Sequence, residues 1–129
     1  MRIGQGFDIH RLDNGLELTI GGVKIPYSKG FVAHSDGDVL IHAICDALLG
    51  AANLRDIGFQ FPDNSDEFLN IDSKILLHRT NELIKSKGYA ISNIDATIAA
   101  QAPKLNPYIP SMQQTMAGVL GIDADALSI

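Results

Sequence analysis

The segment Arg2-Ile3-Gly4-Gln5-Gly6-Phe7-Asp8-Ile9-His10 decides how the rest of the sequence is interpreted. Its side chains alternate between a face that is mostly apolar and a face that carries Gly4 and Gly6 followed by Asp8 and His10. A period of two is typical of a strand, so we predict a strand over Arg2–His10. Because glycine has no side chain, the second face predicts that another part of the molecule approaches this backbone closely.

Asp8 and His10 are also candidate metal ligands, because residues two apart on a strand project from one face. Asp38, His42 and Asp46 follow at intervals of four, which places them on one ridge of a predicted helix. If this helix packs over the end of the strand, Asp8, His10 and His42 supply three ligands to one ion, the arrangement of catalytic zinc. Asp46 is then a group that supports a ligand, or an alternative ligand. The competing interpretation is that His42 only forms a surface pair with neighbouring carboxylates.

His34 and Ser35 precede the same helix. Ser35 is the predicted N-cap, with Asp38 three residues later. Free N–H groups and the helix dipole favour anions at such a position, so the pair is a candidate phosphate site. In the alternative, Ser35 is only a cap and His34 is a solvated neighbour.

The polar segment Asp56–Asn70 is predicted to be a loop of functional length. Asp56-Ile57-Gly58 and Phe61-Pro62-Asp63 offer carboxylates to sugar or polyol hydroxyls and an aromatic ring to their carbon atoms. The alternative is an ordinary solvated loop. His78 is predicted to be a surface residue of the second helix.

Further elements follow from periodicity and from turn residues. We predict a hairpin around Gly21-Gly22, helices that begin at Ser35, cover Asp72–Lys87 and end before Gly121, strands over Ile91–Ala100 and from Leu127, and an irregular loop over Gln101–Pro110. Together they predict an α+β fold (an α/β sandwich), in which a mixed β-sheet has helices packed on one face.

Composition restricts the class of protein. The chain has 129 residues, of which 46% are apolar, and we expect one domain over residues 1–129. A net charge of −5 without a basic run argues against a nucleic-acid partner. The single Cys45 cannot form an internal disulfide, which favours the cytoplasm, and Val39–Leu54 is too short and too polar for a membrane span.

Several motifs occur in a fixed order along the chain. They are Arg2–His10, Ala33-His34-Ser35-Asp36-Gly37-Asp38, His42, Asp56–Gly58 with Phe61–Asp63, and Gln101-Ala102-Pro103-Lys104-Leu105. The combination spans essentially the whole chain and is far more specific than any one motif. It resembles the 2-C-methyl-D-erythritol 2,4-cyclodiphosphate synthase family. These lyases close 4-diphosphocytidyl-2-C-methyl-D-erythritol 2-phosphate into a cyclic diphosphate and release CMP, in non-mevalonate isoprenoid biosynthesis.

The resemblance implies roles for individual residues. Asp8, His10 and His42 match the zinc ligands, and His34 is implied as a catalytic residue that lies with Ser35 against substrate phosphate. The implied substrate contacts are Asp8, Ile9, His10, His34, Ser35, Asp56, Ile57, Gly58, Phe61, Pro62, Asp63, Asn64, Ser65, Ala100, Gln101, Ala102, Pro103, Lys104, Leu105 and Asn106.

The resemblance also implies cofactors and an assembly. One Zn²⁺ per subunit and a second divalent ion, Mg²⁺ or Mn²⁺, are expected with substrate. The family forms homotrimers with active sites between subunits, so the cytosine loop over Ala100–Asn106 is expected to serve a neighbouring chain.

The family's pattern continues beyond Ile129 with a strand that carries threonines and a glutamate, a glycine-rich loop and a closing helix. The sequence contains none of these, so we expect Leu127–Ile129 to lead into a further strand. Two alternatives to the cyclase are a zinc-dependent phosphohydrolase and a truncated, non-catalytic trimer that binds nucleotide.

Overall fold

The computed structural model describes residues 1–62, 64 and 66–129, and it is a mixed α/β fold. The predicted substrate contacts Asp63 and Ser65 lie outside the described residues. The elements, in chain order, are β1 Leu12–Asn14, β2 Leu18–Ile20, β3 Val23–Ile25, β4 Lys29–Phe31, α1 Val39–Ala51, α2 Ile57–Gln60, α3 Ser73–Ser86, β5 Ile94–Asp95, α4 Ile109–Leu120 and β6 Leu127–Ser128.

The hairpin prediction is confirmed. β2 and β3 pair antiparallel, with Leu18 opposite Ile25. The turn between them has positive φ at Gly21 (60°) and Gly22 (75°), a conformation that glycine adopts without steric cost.

The first helix begins later than the sequence predicts. Its N-cap is Asp38 rather than Ser35, because Gly37 turns the chain with a φ of 73° just before the helix. The Asp38 carboxylate accepts hydrogen bonds from the N–H groups of Ile41 at 3.1 Å, Gly21 at 2.9 Å and Gly22 at 2.7 Å. This buried carboxylate therefore holds the hairpin turn against the start of α1. Burial raises the pKa of Asp38 to about 6, although the three donors oppose the rise.

The N-terminal segment Arg2–His10 is not a strand within the described chain, and the prediction of one is wrong. Its glycine face lies on α1 instead of beside another strand. A Cβ atom at Gly4 would stand 1.8 Å from the carbonyl oxygen of Ala47, and one at Gly6 would stand 1.8 Å from that of Ala43. The close approach predicted from the glycines is confirmed, and the partner is a helix backbone.

The core lies where α1, α3 and α4 meet the short strands. α1 buries Ile41, Cys45 and Leu49, while Ala43 and Ala47 face the N-terminal segment. The predicted helices over Asp72–Lys87 and before Gly121 are confirmed as α3 and α4. These helices contribute the fully buried Leu77, Met112, Met116 and Leu120 to the core.

The strands form three separate two-stranded sheets among the described residues, and not the single mixed sheet that was predicted. β1 pairs antiparallel with β4, whereas β5 pairs parallel with β6. The predicted strand over Ile91–Ala100 is restricted to Ile94–Asp95, because only these residues pair with the predicted strand at Leu127. The segment Arg2–His10 pairs with no strand among the described residues.

Two predicted loops contain helical turns. Asp56–Asn70 includes α2 and a 3₁₀ turn at Asp66–Phe68. The segment Gln101–Pro110 includes a 3₁₀ turn at Asn106–Tyr108, and Pro110 lies in the first turn of α4, where its missing N–H costs nothing. None of the described helices has the length and apolarity needed to cross a bilayer.

The packing of the N-terminal segment predicts that Gly6→Ala lowers the free energy of unfolding by about 1–3 kcal/mol, because the added methyl group displaces the segment from α1. Gly118→Ala is the matched control. Gly118 is an exposed residue of α4 where an added Cβ meets nothing within 4 Å, so the substitution should raise stability by about 0.5–1 kcal/mol. Urea unfolding followed by circular dichroism measures both changes. Equal stability of Gly6→Ala and the unsubstituted protein would contradict the packing.

Candidate metal centre and substrate cavity

The three predicted metal ligands meet at one point. Asp8 Oδ2 lies 3.0 Å from His10 Nε2 and 3.1 Å from His42 Nδ1. One ligand atom from each residue falls within 4.8 Å of the others. The predicted docking of the ligand-bearing N-terminal segment onto the helix that carries His42 is therefore present in the structure.

The glycine contact positions this cluster. Gly4 and Gly6 hold the segment against the carbonyls of Ala47 and Ala43. The chain then runs past the first turns of α1, where His42 N–H donates to the carbonyl oxygen of Asp38 at 2.9 Å. Asp8 and His10 consequently lie beside the ring of His42 rather than in solvent.

Asp8 and His42 influence each other electrostatically. Burial acts to raise the pKa of Asp8, but the hydrogen bond with His42 and the charges of His10 and His42 outweigh it, so the pKa is lowered. Burial acts to lower the pKa of His42, and its hydrogen bond with Asp8 and the charge of Asp8 outweigh that effect, so the pKa is raised. The arrangement therefore favours an ionised carboxylate next to two imidazoles.

The donor set fits a divalent metal ion. Two imidazole nitrogens and one carboxylate oxygen are ligands that zinc accepts, and three protein ligands leave a position open for substrate. Two ligands bound at about 2.0 Å to a tetrahedral zinc lie about 3.3 Å apart. The separations of 3.0 and 3.1 Å between Asp8 and the two rings are close to this value.

A second set of side chains contacts the far side of His42. Its Nε2 lies 2.9 Å from Ser73 Oγ and 3.2 Å from Ser35 Oγ. The Ser73 hydroxyl donates in turn to Asp36 Oδ1. The sequence interpretation missed Ser73 and Asp36 as functional residues. Asp36 lies inside a quoted motif, but Ser73 is 31 residues from His42 and no spacing connects the two.

The metal cluster forms part of the wall of a cavity of about 200 Å³. The Nε2 atom of His34 is buried and has no hydrogen-bond partner in the described part of the chain. The residues that line the cavity are Asp8, His10, Ala33, His34, Ser35, His42, Asp46, Ile57, Gly58, Phe61, Phe68, Ile71 and Leu76. The cavity thus brings together the metal cluster, the predicted phosphate pair and part of the predicted polyol loop.

Asp46 lines this cavity without joining the ligand cluster found among the described residues. Its Oδ1 accepts a hydrogen bond from Ile57 N–H at 2.8 Å. Burial raises the pKa of Asp46. Asp46 therefore fixes the start of α2 at the cavity wall.

Other predicted substrate contacts lie outside the cavity wall. Ile9 is 79% exposed. Asp56 caps α2 by accepting from Phe59 N–H at 2.8 Å. Pro62 and Asn64 are exposed residues of the following turn.

The predicted cytosine loop also lies apart from this cavity. None of the residues Ala100, Gln101, Ala102, Pro103, Lys104, Leu105 and Asn106 is among those that line it. Most of the loop is exposed, and Leu105 packs against the core.

The fold and the site define a metal-dependent enzyme of mixed α/β architecture. The model of the YgbB family matches residues 1–129. The 2-C-methyl-D-erythritol 2,4-cyclodiphosphate synthase of Bacteroides fragilis is 63% identical over 129 residues, which are all of this chain and 81% of that protein. The corresponding synthase of Nitrosococcus oceani is 56% identical over all of this chain and 82% of its own length. The chain belongs to the YgbB family, the family of these synthases, and it is an enzyme of this class.

Solved structures agree with this assignment. A 2C-methyl-D-erythritol-2,4-cyclodiphosphate synthase in a CDP-bound form has a TM-score of 0.88 and 32% identity, over 98% of this chain and 85% of that one. The bifunctional IspDF from Campylobacter jejuni also has a TM-score of 0.88, with 36% identity over 98% of this chain and 34% of that larger chain.

The cluster predicts that His42→Ala abolishes stoichiometric binding of a divalent metal, because Asp8 and His10 alone leave too few ligands. Metal content after dialysis, measured by inductively coupled plasma mass spectrometry, tests this. His78→Ala is the control, since His78 is an exposed residue of α3, and it should keep its metal. Retention of one metal per chain by His42→Ala would show that the ligand set is wrong.

Proposed function

We propose that the protein converts 4-diphosphocytidyl-2-C-methyl-D-erythritol 2-phosphate to 2-C-methyl-D-erythritol 2,4-cyclodiphosphate and CMP. The observation that carries the proposal is the meeting of Asp8, His10 and His42 in the wall of a cavity that also contains His34 and Ser35. Membership of the synthase family and the likeness to a CDP-bound synthase support the same reaction.

The reaction is an intramolecular displacement at phosphorus. An oxygen of the 2-phosphate forms a bond to the β-phosphorus, and the bond from that phosphorus to the bridging oxygen breaks. CMP leaves with the bridging oxygen and its electron pair. No protein nucleophile is needed, and the buried Cys45, whose pKa burial raises to about 12, is unsuited to be one. The chain acts by positioning and by neutralising charge.

We assign the metal cluster to one Zn²⁺ per subunit, held by Asp8, His10 and His42. When bound, this ion supplies Lewis-acid polarisation of the β-phosphate. A second divalent ion, Mg²⁺ or Mn²⁺, is proposed to accompany the diphosphate of the substrate. The mixed nitrogen and oxygen donor set supports zinc at the first position, since Mg²⁺ prefers oxygen ligands alone.

His34 and Ser35 are proposed to hold the phosphate that attacks. The predicted phosphate site at a helix N-terminus needs revision. α1 begins at Val39, four residues after Ser35, and the Asp38 carboxylate already accepts from Ile41 N–H. We therefore assign the phosphate contacts to the two side chains. His34 supports this role, since its Nε2 is buried at the cavity without a described partner.

The loop after α1 is proposed to hold the methylerythritol and ribose groups through Asp56–Gly58 and Phe61–Ser65. Ile57, Gly58 and Phe61 lie in the cavity wall, which supports the assignment. Asp46 takes part indirectly, because it anchors the first turn of α2.

We also propose a homotrimer in which each active site takes its cytosine loop, Ala100–Asn106, from a neighbouring subunit. The absence of this loop from the lining of the cavity beside the metal cluster within one chain supports the arrangement. The exposed apolar side chains of Ile3, Phe7 and Ile9, at 87%, 78% and 79%, are consistent with burial in an assembly.

A product analysis tests the function. The full-length protein, the cytidine-linked substrate, Zn²⁺ and Mg²⁺ are incubated together and followed by ³¹P NMR. We expect signals of a cyclic diphosphate and of CMP, and their disappearance when the metals are chelated. Linear phosphate products would instead indicate a phosphohydrolase, and nucleotide binding without turnover would indicate a non-catalytic module.

The variant His34→Ala serves as an internal control in this assay. It removes a proposed phosphate contact but none of the three metal ligands. Loss of one such donor typically lowers kcat by about 10²–10³-fold. Retained metal with reduced turnover is the expected result, and unchanged turnover would remove His34 from the proposed mechanism.

A further inference from the structure

The ring of His42 makes polar contacts on two sides, through Nδ1 with Asp8 and through Nε2 with Ser73. His42 Nδ1 lies 3.1 Å from Asp8 Oδ2, and Nε2 lies 2.9 Å from Ser73 Oγ. Both ring nitrogens therefore have polar partners, and this fixes the orientation of the ring. Ser73 is fully buried at the first position of α3.

The number of protons that Ser73 can donate determines which group is the donor in its hydrogen bond with His42. A serine hydroxyl has one proton to donate. Ser73 donates this proton to the carboxylate of Asp36. Towards His42, Ser73 can then only accept, so Nε2 carries a ring proton. Without a metal, Nδ1 also carries a proton and donates it to the Asp8 carboxylate at 3.1 Å. A metal ion bound at Nδ1 would replace that proton and use the Nδ1 lone pair.

Asp36 is itself held rigidly. Its Oδ2 accepts from Ser73 N–H at 2.9 Å, its Oδ1 accepts from Asp38 N–H at 3.1 Å, and its own N–H donates to the carbonyl oxygen of Ile71 at 3.3 Å. The carboxylate thus binds both the backbone and the side chain of Ser73. This double contact joins the start of α3 to the turn before α1.

We propose that Asp36 and Ser73 form a positioning relay that holds His42 with its proton on Nε2 and directs the Nδ1 lone pair at the metal. The inference deepens the proposed function, because it depends on His42 being a ligand through Nδ1. Such partners behind a metal-bound histidine fix its tautomer and its ring angle, and they increase its basicity.

The relay also separates the roles of two serines. Ser35 Oγ lies 3.2 Å from His42 Nε2 and accepts from Gly37 N–H at 3.2 Å. If Nε2 had no proton, Ser35 would have to donate to it. Because Ser73 keeps the proton on Nε2, the Ser35 hydroxyl proton stays available to a phosphate oxygen in the cavity.

Zinc affinity tests the relay without relying on turnover. Dissociation constants for Zn²⁺ are measured by chelator competition in the full-length protein. Ser73→Ala should bind zinc about 10–100-fold more weakly, the usual effect of removing a hydrogen-bond partner behind a ligand. Asp72→Ala is the matched control, because Asp72 caps the same helix through Lys74 N–H and does not contact His42. Its zinc affinity should not change.

A spectroscopic signature separates positioning from a loss of folding. In the zinc-loaded, ¹⁵N-labelled protein, the ring Nε2–H of His42 should give a slowly exchanging signal, because it is donated to a buried hydroxyl. Ser73→Ala should shift this signal or lose it to exchange, while the backbone amide spectrum stays folded. Asp36→Asn is the second variant, and it should weaken zinc binding as well. Its effect should largely vanish in the Ser73→Ala background, because Asp36 acts through Ser73.

The outcomes distinguish the two proposals. If the unsubstituted protein binds no stoichiometric zinc, the proposed metal site is wrong. If it binds zinc, but Ser73→Ala and Asp36→Asn bind equally tightly and the ring signal of His42 is unchanged, the metal site stands and the relay is overturned.

Discussion

The contact between the N-terminal segment and the backbone of α1 is the constraint on which the site depends. At Gly4 and Gly6 a Cβ atom would stand 1.8 Å from a helix carbonyl oxygen, so no other residue fits there without displacing the segment. The helix contributes to this fit with the small side chains of Ala43 and Ala47. Only when the segment lies this close to the helix can the side chains that follow Gly6 reach His42.

Two electrostatic arrangements build on this contact. On one side of His42, the carboxylate of Asp8 lies between two imidazoles, and the three groups together form a cation site. On the other side, Ser73 and Asp36 hold the ring from within the fold. A helix residue is thus fixed from two directions, by the chain's first residues and by the start of α3. This explains how a short chain with small sheets can hold the three ligand side chains at fixed positions relative to one another.

Much of the site could be predicted from local spacing. Asp8 and His10 are two apart in the N-terminal segment, and His42 lies four residues after Asp38, the N-cap of α1, so the spacing indicated that the three ligands could face one ion. Local patterns did not predict the partner of the N-terminal segment. Alternation is compatible with a strand, but a strand also needs a partner strand along its edge. No described strand pairs with this segment, whose glycine face packs on α1. Ser73 was missed because its role depends on a contact across 31 residues. The start of α1 was predicted too early. Gly37, with its positive φ, still belongs to the turn before the helix, so the N-cap is Asp38.

The central claim is that the glycine contact with α1 assembles one metal site from Asp8, His10 and His42. Anomalous diffraction at the zinc absorption edge, from crystals of the zinc-loaded protein, tests it directly. The account predicts one strong peak per chain within about 2.0–2.2 Å of Asp8 Oδ2, His10 Nε2 and His42 Nδ1. A peak bound through His42 Nε2, or one located at other residues, would contradict it.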